Sequence, residues 1–390
     1  MDEFKAIDRA SSNAEKYQLR EKLFGSNDVQ PLWVADMDIA TPQCVLEAVK
    51  HRLNHPILGY EMMPRNAFEA QCAWIWSHHA WRIDPQWLLY SPSVVASLGC
   101  AVRALSEVGD EIIVMSPVYP PFFTVVTDNH RQVIRYSLTQ NGEGNYSLDS
   151  RDLERLITPK TTMLLLCSPH NPIGRVWDKD ELKALGAFCL AHNITIVSDE
   201  IHSDVVFEGH CHTPIASLSP ELSESTVTLL GVGKTFNMSG FGISTVCIAS
   251  KRLREKFQYE TQKIHWGEGS VLSHVAFEAA YNEGGQWHQR LLMHLSANRE
   301  RLLQWSDSQN FITVMPPEGT YLAWLDCRPL GLNDRDLRHF MVHEARLGVS
   351  MGVSFGKEGS GFVRLNFAIA RDSLEEALNR LNTALAKLSL

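Results

Sequence analysis

The sequence predicts an α/β protein with a large domain built on a mostly parallel, doubly wound sheet and a smaller α+β domain. Beyond Gly109 and Asp110, short apolar runs of strand length alternate with helical patterns, which is typical of such a sheet. The chain has 390 residues, 44% of them hydrophobic, which is ample for a large core and long enough for two unequal domains.

Composition indicates which ligands the protein does not bind and where in the cell it is expected. The 36 basic and 45 acidic residues give a net charge of -9, so the chain offers no global attraction to nucleic acid or to an anionic membrane. The first residues are polar and charged, and no apolar run approaches the roughly 20 residues that a spanning helix needs. The eight cysteines include no C-x-x-C pair, as expected of reduced thiols. We therefore expect a cytoplasmic protein that binds neither nucleic acid nor a membrane.

One short segment, His210-Cys211-His212, contains possible metal ligands. Adjacent side chains rarely converge on one ion, and Gly209 and Pro214 indicate a loop. We therefore predict no metal site.

The first part of the chain predicts an extended arm followed by helices. Residues 31–43 form an apolar, extended segment, and a Thr-Pro pair near its end indicates a helix start before the helical pattern of residues 45–53. Residues 67–81 have the pattern of an amphipathic helix, and residues 94–108 that of another helix. Because small residues precede this last helix, its start is a suitable seat for a phosphate.

The middle and the end of the chain predict two different units. Short apolar runs predict the strands of the large sheet: 112–115, 133–136, 163–167, 195–198, 227–230 and 245–249. A long helical stretch, with interruptions near its glycines, then leaves this domain at 251–305. The smaller unit is predicted to contain two strands, at 320–325 and 361–367, and a helix between them at 334–347. A last amphipathic helix is predicted from about Ser373.

These elements predict three segments. Residues 1–45 form an N-terminal arm that packs with the small domain, residues 46–283 form the large domain, and residues 284–390 form the small domain. The small domain is therefore predicted to be discontinuous in sequence.

Polar side chains follow the ends of the predicted strands. Tyr119 lies in SPVY, Asn171 in SPHNP, and Asp199 and His202 in SDEIH, each directly after a strand. Because ligands bind beyond the carboxyl ends of parallel strands, these groups should meet at one edge of the sheet, together with Lys234. An aromatic ring, an amide, a carboxylate and an amine would then face one site. Taken singly, Tyr119 could serve packing and Asn171 a turn before proline.

Lys234 allows three interpretations. It could be a solvated lysine at a strand end, which is the ordinary case. The string Gly233-Lys234-Thr235 also imitates the end of a phosphate loop, but that motif requires glycine where Thr228 stands. The third interpretation is a desolvated amine that forms a Schiff base with a carbonyl cofactor, with Gly231 and Gly233 leaving room beside it.

Together, these residue types meet the requirements of pyridoxal phosphate chemistry. The chain carries the motifs WVADMD, GY, SPVYPPF, CSPHNPIG, SDEIHSD, KTFN, TYLAWLD and FVRLN. This string resembles the fold-type I aminotransferase superfamily of pyridoxal phosphate-dependent enzymes along essentially the whole chain. More closely, it resembles the MalY/PatB group of carbon–sulfur β-lyases, and the two resemblances imply a fold-type I architecture.

The resemblance assigns roles to five residues. It makes Lys234 the Schiff-base lysine and the catalytic base, and Asp199 the partner of the pyridine nitrogen. Asn171 would donate to the phenolic oxygen of the cofactor. Tyr119 would stack on the ring and take part in catalysis. Arg364, in FVRLN, would bind the substrate α-carboxylate in bidentate fashion, and a buried guanidinium does need an anionic partner.

The resemblance also implies how the phosphate and the substrate are held. Backbone amides at Val94 and Val95 and the hydroxyl of Thr235 would bind the phosphate. Tyr60 would reach the same phosphate from the neighbouring subunit, so that a homodimer would share its sites. Ala35, in WVADMD, would contact the substrate.

The sequence departs from the superfamily pattern at several positions. Where many aminotransferases place hydroxyls before the lysine, this chain has Gly231 and Gly233, and Gly242 replaces a phosphate-binding arginine. These glycines leave open how the phosphate is held. His202 stands where those enzymes have tyrosine, and this change fits the lyase group. The resemblance implies that His202 contacts the cofactor.

The resemblance implies a lyase that cleaves L-cystathionine or a related cysteine S-conjugate to pyruvate, ammonia and a thiol. Two alternatives remain open at this point. An aminotransferase shares the same residues up to the carbanion, and a MalY-like regulator would bind a transcription factor through its surface. A lyase makes pyruvate without an added keto acid, whereas an aminotransferase needs a keto acid for turnover. A protein that acts only as a regulator should keep its regulatory function when Lys234 is lost.

Overall fold

The computed structural model describes residues 3–9, 11–140 and 146–388. The α-helices are α1 Glu15–Gln18, α2 Arg20–Phe24, α3 Gln43–Arg52, α4 Arg65–His79, α5 Val94–Leu105, α6 Pro121–Thr127, α7 Ser150–Leu153, α8 Lys179–Ala191, α9 Pro220–Ser225, α10 Val232–Thr235, α11 Lys251–Lys263, α12 Val271–Glu283, α13 Gly285–Asp307, α14 Asp334–His339 and α15 Arg371–Leu388. The strands are β1 Gln30–Pro31, β2 Leu88–Ser91, β3 Glu111–Ser116, β4 Gln132–Ser137, β5 Thr139–Gln140, β6 Tyr146–Ser147, β7 Thr161–Cys167, β8 Thr195–Asp199, β9 Thr226–Leu230, β10 Ser244–Cys247, β11 Thr313–Met315, β12 Leu322–Asp326, β13 Leu347–Gly348, β14 Ser350–Met351 and β15 Phe362–Asn366.

The large sheet has seven strands in the order β2-β10-β9-β8-β7-β3-β4. Strands β9, β8, β7, β3 and β4 run parallel, whereas β10 is antiparallel to both of its neighbours. Most strand residues are buried, which explains their continuous apolar runs, because a parallel sheet is covered on both faces. All six predicted strands are present, although β10 ends at Cys247 and not at 249. The edge strand β2 was not predicted.

The second sheet is antiparallel and has the order β11-β12-β15-β14. Its register places Arg364 of β15 opposite Trp324 of β12 and Ser350 of β14. The arm contacts this C-terminal unit, because β1 pairs in parallel with β13. The domain boundaries themselves stay a prediction.

The helices begin and end close to the predicted positions. In α8, Asp178 and Glu181 form a capping box, and in α5 the Ser93 side chain accepts from the Ala96 N–H. The helix predicted for residues 334–347 is shorter, because a π-helical turn at Phe340–Glu344 follows α14. In the described ranges, no helix has the length and hydropathy that crossing a membrane requires.

Candidate active site

A cavity of about 450 Å³ lies beyond the carboxyl ends of the parallel strands. Residues after β3, β7, β8 and β9, the start of α5, the arm and the second sheet all line it. Among its lining residues are nine of the predicted site residues: Ala35, Val94, Val95, Tyr119, Asn171, Asp199, His202, Lys234 and Arg364. Thr235 and Tyr60 are not among them.

Lys234 enters the cavity from α10, the single helical turn that follows β9. Its Nζ donates a hydrogen bond of 2.5 Å to the carbonyl oxygen of Ala35. Burial lowers the pKa of Lys234 to about 8, with Asp36 and Asp199 opposing the shift and Arg364 adding to it. A larger fraction of this amine is therefore uncharged near neutral pH than for a surface lysine.

The glycines before Lys234 serve close packing of the protein itself. A Cβ at Gly231 would lie 2.9 Å from the Ile201 side chain and 3.1 Å from Cβ of Ser244. A Cβ at Gly233 would lie 3.1 Å from the Ser239 hydroxyl. The expectation that both glycines leave room for a cofactor is therefore wrong at Gly231, where protein atoms fill the space.

Asp199 ends β8 and is almost fully buried at the floor of the cavity. Its Oδ1 accepts a hydrogen bond of 3.1 Å from the Ile201 N–H. Burial raises the pKa of Asp199 to about 7, because few groups compensate its charge; the Ile201 N–H and the Lys234 charge oppose the rise. A cationic or N–H group in the cavity would relieve this penalty.

Arg364 is buried on β15 and has no carboxylate partner in the described part of the chain. Its Nη1 donates to Asn171 Oδ1 at 3.0 Å, and its Nη2 donates to the Trp33 carbonyl at 2.6 Å. Its Nε has no hydrogen-bond partner. Burial lowers the pKa of Arg364 to about 10. A buried guanidinium with an unused donor is suited to a carboxylate ligand, as the sequence predicted.

Tyr119 and His202 complete the walls. The backbone N–H of Tyr119 donates to the Asn171 carbonyl at 3.1 Å, which fixes the loop after β3 to the loop after β7. The His202 ring stands edge-on to Tyr321, with centroids 5.6 Å apart. Burial, together with the charges of Lys234 and Arg364, lowers the pKa of His202 well below its ordinary value. His202 is therefore a neutral ring at neutral pH.

The start of α5 contributes hydrogen-bond donors to the cavity. The amide groups of Val94 and Val95 lie in the first turn, where a helix leaves N–H groups without intrahelical partners. The hydroxyls of Ser93, Ser239 and Ser244 belong to residues that line the same cavity. This group of donors is suited to a phosphate.

Thr235 has a different environment from the predicted one. Its buried hydroxyl donates to Asp204 Oδ2 at 2.7 Å. Asp204 also accepts from Trp74 Nε1 at 3.0 Å, so the contact belongs to a buried network. The Thr235 hydroxyl therefore has a carboxylate partner in place of the predicted phosphate.

Tyr60 and the histidine segment lie outside the cavity. Tyr60 is fully exposed in the single chain. His212 lies with its Nε2 3.0 Å from Glu200 Oε2, whereas Cys211 is exposed. Within the described ranges, no group of three or more His, Cys, Asp or Glu could hold a metal ion.

Comparison with known proteins identifies the family. The profile of "Aminotransferase class I and II" matches residues 27–381. The chain belongs to the aminotransferase class I and II family. Cystathionine beta-lyase PatB of Bacillus subtilis (strain 168) is 37% identical over 384 residues, which cover 98% of this chain and 99% of that protein. Protein MalY of Escherichia coli (strain K12) is 31% identical over 388 residues, which cover 98% of each chain.

A solved structure supports the same assignment for this aminotransferase-family chain. Cystalysin from Treponema denticola, which contains a pyridoxal 5'-phosphate cofactor, matches with a TM-score of 0.96 and 33% identity over 99% of each chain. The predicted fold class and the resemblance to the MalY/PatB group are therefore confirmed.

Several residues of this aminotransferase-family site were not found from the sequence. Buried Lys16 forms ion pairs with Asp36 at 3.3 Å and Asp38 at 2.9 Å, which holds the arm against WVADMD. Asn237 of KTFN donates to the Met37 carbonyl at 3.1 Å and to that of Ile39 at 2.8 Å. These contacts carry the arm to the cavity. The two aspartates of WVADMD were the only sign in the sequence that this segment needs charged partners. Those partners could not be identified, because they lie far away in sequence.

Proposed function

We propose that this protein is a pyridoxal 5'-phosphate-dependent carbon–sulfur β-lyase that cleaves L-cystathionine or related cysteine S-conjugates to pyruvate, ammonia and a thiol. The observation that carries the proposal is the convergence of the Lys234 amine, the Asp199 carboxylate and the Arg364 guanidinium in one cavity. The similarity to PatB and to cystalysin along nearly the whole chain supports it.

The cavity fits the cofactor group by group. Lys234 would hold its aldehyde carbon, and Asp199, whose charge is poorly compensated, would pair with the ring nitrogen. Asn171 and Tyr119 would contact the ring, and the start of α5 would receive the phosphate. When bound, pyridoxal phosphate supplies an electron sink next to the substrate Cα.

The residues of the chain divide the remaining work. Arg364 binds the α-carboxylate of the substrate through its unused Nε–H and a neighbouring N–H. Once the substrate amine replaces it on the aldehyde carbon, the freed Lys234 amine would take the proton from Cα, and its pKa of about 8 suits a base that works near neutral pH. The Cβ–S bond then breaks, and the thiolate leaves with the bonding electrons. Water hydrolyses the released enamine to pyruvate and ammonia.

The test of the lyase is simple turnover. Purified protein reconstituted with pyridoxal phosphate should convert L-cystathionine to equal amounts of pyruvate and thiol with no keto acid added. A requirement for keto acid, with amino-group transfer exceeding pyruvate release, would favour the aminotransferase alternative. Binding of a regulatory protein partner would be a separate function, and this binding should be unchanged in Lys234→Ala.

The proposal includes a homodimer with shared sites. The described segment around Tyr60 exposes several apolar side chains, namely Ile57, Leu58, Tyr60 and Met62. Burying this segment against a second copy would remove apolar area from water and bring Tyr60 to the neighbouring phosphate seat. The cysteines, all without a disulfide in the described ranges, support the proposed cytoplasmic location.

A further inference from the structure

Two carboxylates line the cavity among the described residues, Asp199 and Glu15. The proposed function uses Asp199 and leaves Glu15 without a role. Glu15 is exposed, and its side-chain carboxylate forms no hydrogen bond or ion pair with another described residue. An acidic residue can stabilise the start of a helix, but α1 has only four residues, so this effect is small here.

The position of Glu15 is fixed by its neighbour. Lys16 is 0% exposed and forms ion pairs with Asp36 and Asp38. The Trp33 Nε1–H donates to the Lys16 carbonyl at 3.1 Å. The arm therefore holds the Glu15 carboxylate at the cavity wall through buried contacts one residue away.

Glu15 and Tyr119 both line the cavity. Burial raises the pKa of Tyr119; Arg364 opposes the rise, and the charges of Asp199 and Glu15 add to it. The charges that act on Lys234 are those of Asp36, Arg364 and Asp199, without Glu15. The charge of Glu15 therefore acts on the Tyr119 side chain, which lines the same cavity.

The remaining walls decide what Glu15 can contact. Arg364 takes the α-carboxylate, Lys234 faces Cα, and the start of α5 takes the phosphate. The sulfur substituent has to contact lining residues that these roles leave free, and Trp33, Phe355 and Glu15 are among them. Apolar rings accept a hydrocarbon stem, and a carboxylate without a partner favours a cation at its end.

We propose that Glu15 is a specificity-determining residue that binds a positively charged group on the sulfur substituent. The preferred substrates would be cysteine S-conjugates whose substituent carries an ammonium group a few bonds from sulfur. The inference rests on the proposed lyase function and names its substrate class. Because Glu15 is exposed, solvent screens the contact, and an exposed ion pair changes kcat/KM by up to about fivefold.

The experiment compares three conjugates of similar size with the reconstituted holoenzyme. S-(2-aminoethyl)-L-cysteine carries a cation, S-propyl-L-cysteine is its neutral counterpart, and S-carboxymethyl-L-cysteine carries an anion. Pyruvate formation gives kcat/KM for each, at about pH 7.5, where the primary amine is charged. The variants are Glu15→Gln, Glu15→Lys and a matched control, Glu300→Gln. Glu300 is an exposed residue of α13, and its replacement removes one negative charge away from the cavity lining.

We expect Glu15→Gln to lower the ratio of kcat/KM for the aminoethyl over the propyl conjugate by about fivefold, through KM. Glu15→Lys should lower this ratio further and raise the ratio for the carboxymethyl over the propyl conjugate. Glu300→Gln should leave both ratios as in the wild type. Ratios that stay within about twofold in both Glu15 variants would overturn the inference while leaving the lyase intact. If the wild type releases no pyruvate from any conjugate, the lyase function fails, and the inference fails with it.

Discussion

The Lys234 amine and the carbonyl oxygen of Ala35 are 2.5 Å apart, although 199 positions separate the two residues in the chain. The hydroxyl of Tyr321 donates to the same oxygen at 2.9 Å. The arm therefore reaches the amine that the proposal places at the reaction centre, and Tyr321, directly before β12 of the second sheet, fixes it there. The site is complete only when arm, large sheet and second sheet are packed together.

Replacing Arg364 tests the carboxylate site. Arg364→Lys keeps the charge but loses the planar fork and its contacts to Asn171 and Trp33. Hydrogen bonds to charged groups contribute roughly 1.5 to 3 kcal/mol each, so kcat/KM should fall by about tenfold to a hundredfold. Steady-state kinetics on L-cystathionine measure this, with Arg335→Lys in α14 as a control outside the cavity. Equal kcat/KM in Arg364→Lys and the wild type would remove Arg364 from substrate binding.

Replacing Asp204 tests how α10 is held. Asp204 accepts from Thr235, Trp74 and His79, at 2.7, 3.0 and 2.9 Å. Asp204→Asn removes the buried charge and turns one acceptor oxygen into a donor. Breaking a buried charged network costs about 3 to 5 kcal/mol, so thermal unfolding should move to a markedly lower temperature. The matched control is Asp180→Asn, whose side chain is exposed. An unchanged melting temperature would show that this network does not stabilise the fold.

In the cofactor-free protein, Asp199 and Lys234 make opposite contributions to the pH dependence of the free energy of unfolding. The pKa of Asp199 rises from 3.8 to about 7 in the folded chain. Between these values the unfolded chain has already released its proton, so this group lowers the free energy of unfolding as pH rises. The pKa of Lys234 falls from 10.5 to about 8, so between these values the folded chain binds fewer protons and its free energy of unfolding rises with pH.

Urea unfolding of the cofactor-free protein measures both slopes. Asp199→Asn should make the slope of the free energy of unfolding against pH more positive between about pH 4 and 7, by at most about 1.4 kcal/mol per pH unit. The exposed control Asp180→Asn should follow the wild type. A slope that is the same in Asp199→Asn and the wild type would contradict the buried, poorly compensated carboxylate.

Tyr60 tests the shared site. If its hydroxyl binds the phosphate of the neighbouring subunit, Tyr60→Phe should weaken retention of pyridoxal phosphate by about tenfold, as the loss of one hydrogen bond to a charged group predicts. Equilibrium dialysis measures this affinity. Mixing Tyr60→Phe with Lys234→Ala should restore activity at limiting cofactor, because one site of each hybrid dimer receives both native residues. Unchanged affinity, with no restoration despite subunit exchange, would show that Tyr60 does not complete a neighbour's site.

Local sequence predicted the sheet because its buried strands are continuous apolar runs, from β3 to β9. It also predicted that Asn171, Asp199 and Lys234 meet, since the ends of parallel strands share one edge. It missed what depends on distant packing. Lys16 is a charged residue in a polar arm, and only its ion pairs with Asp36 and Asp38, about twenty positions further on, make it buried. Distant packing also explains why the sequence assigned the Thr235 hydroxyl to the phosphate: its partner in the structure, Asp204, is 31 positions away.

The most direct test of the account is the behaviour of Lys234. Borohydride reduction of the holoenzyme, followed by peptide mapping, should find the pyridoxyl group on Lys234, with none on the exposed Lys251. Lys234→Ala should lower pyruvate release from L-cystathionine by at least about 10² to 10⁴, the usual contribution of a general base, whereas Lys251→Ala should match the wild type. Label on another lysine, or undiminished pyruvate release from Lys234→Ala, would contradict the account.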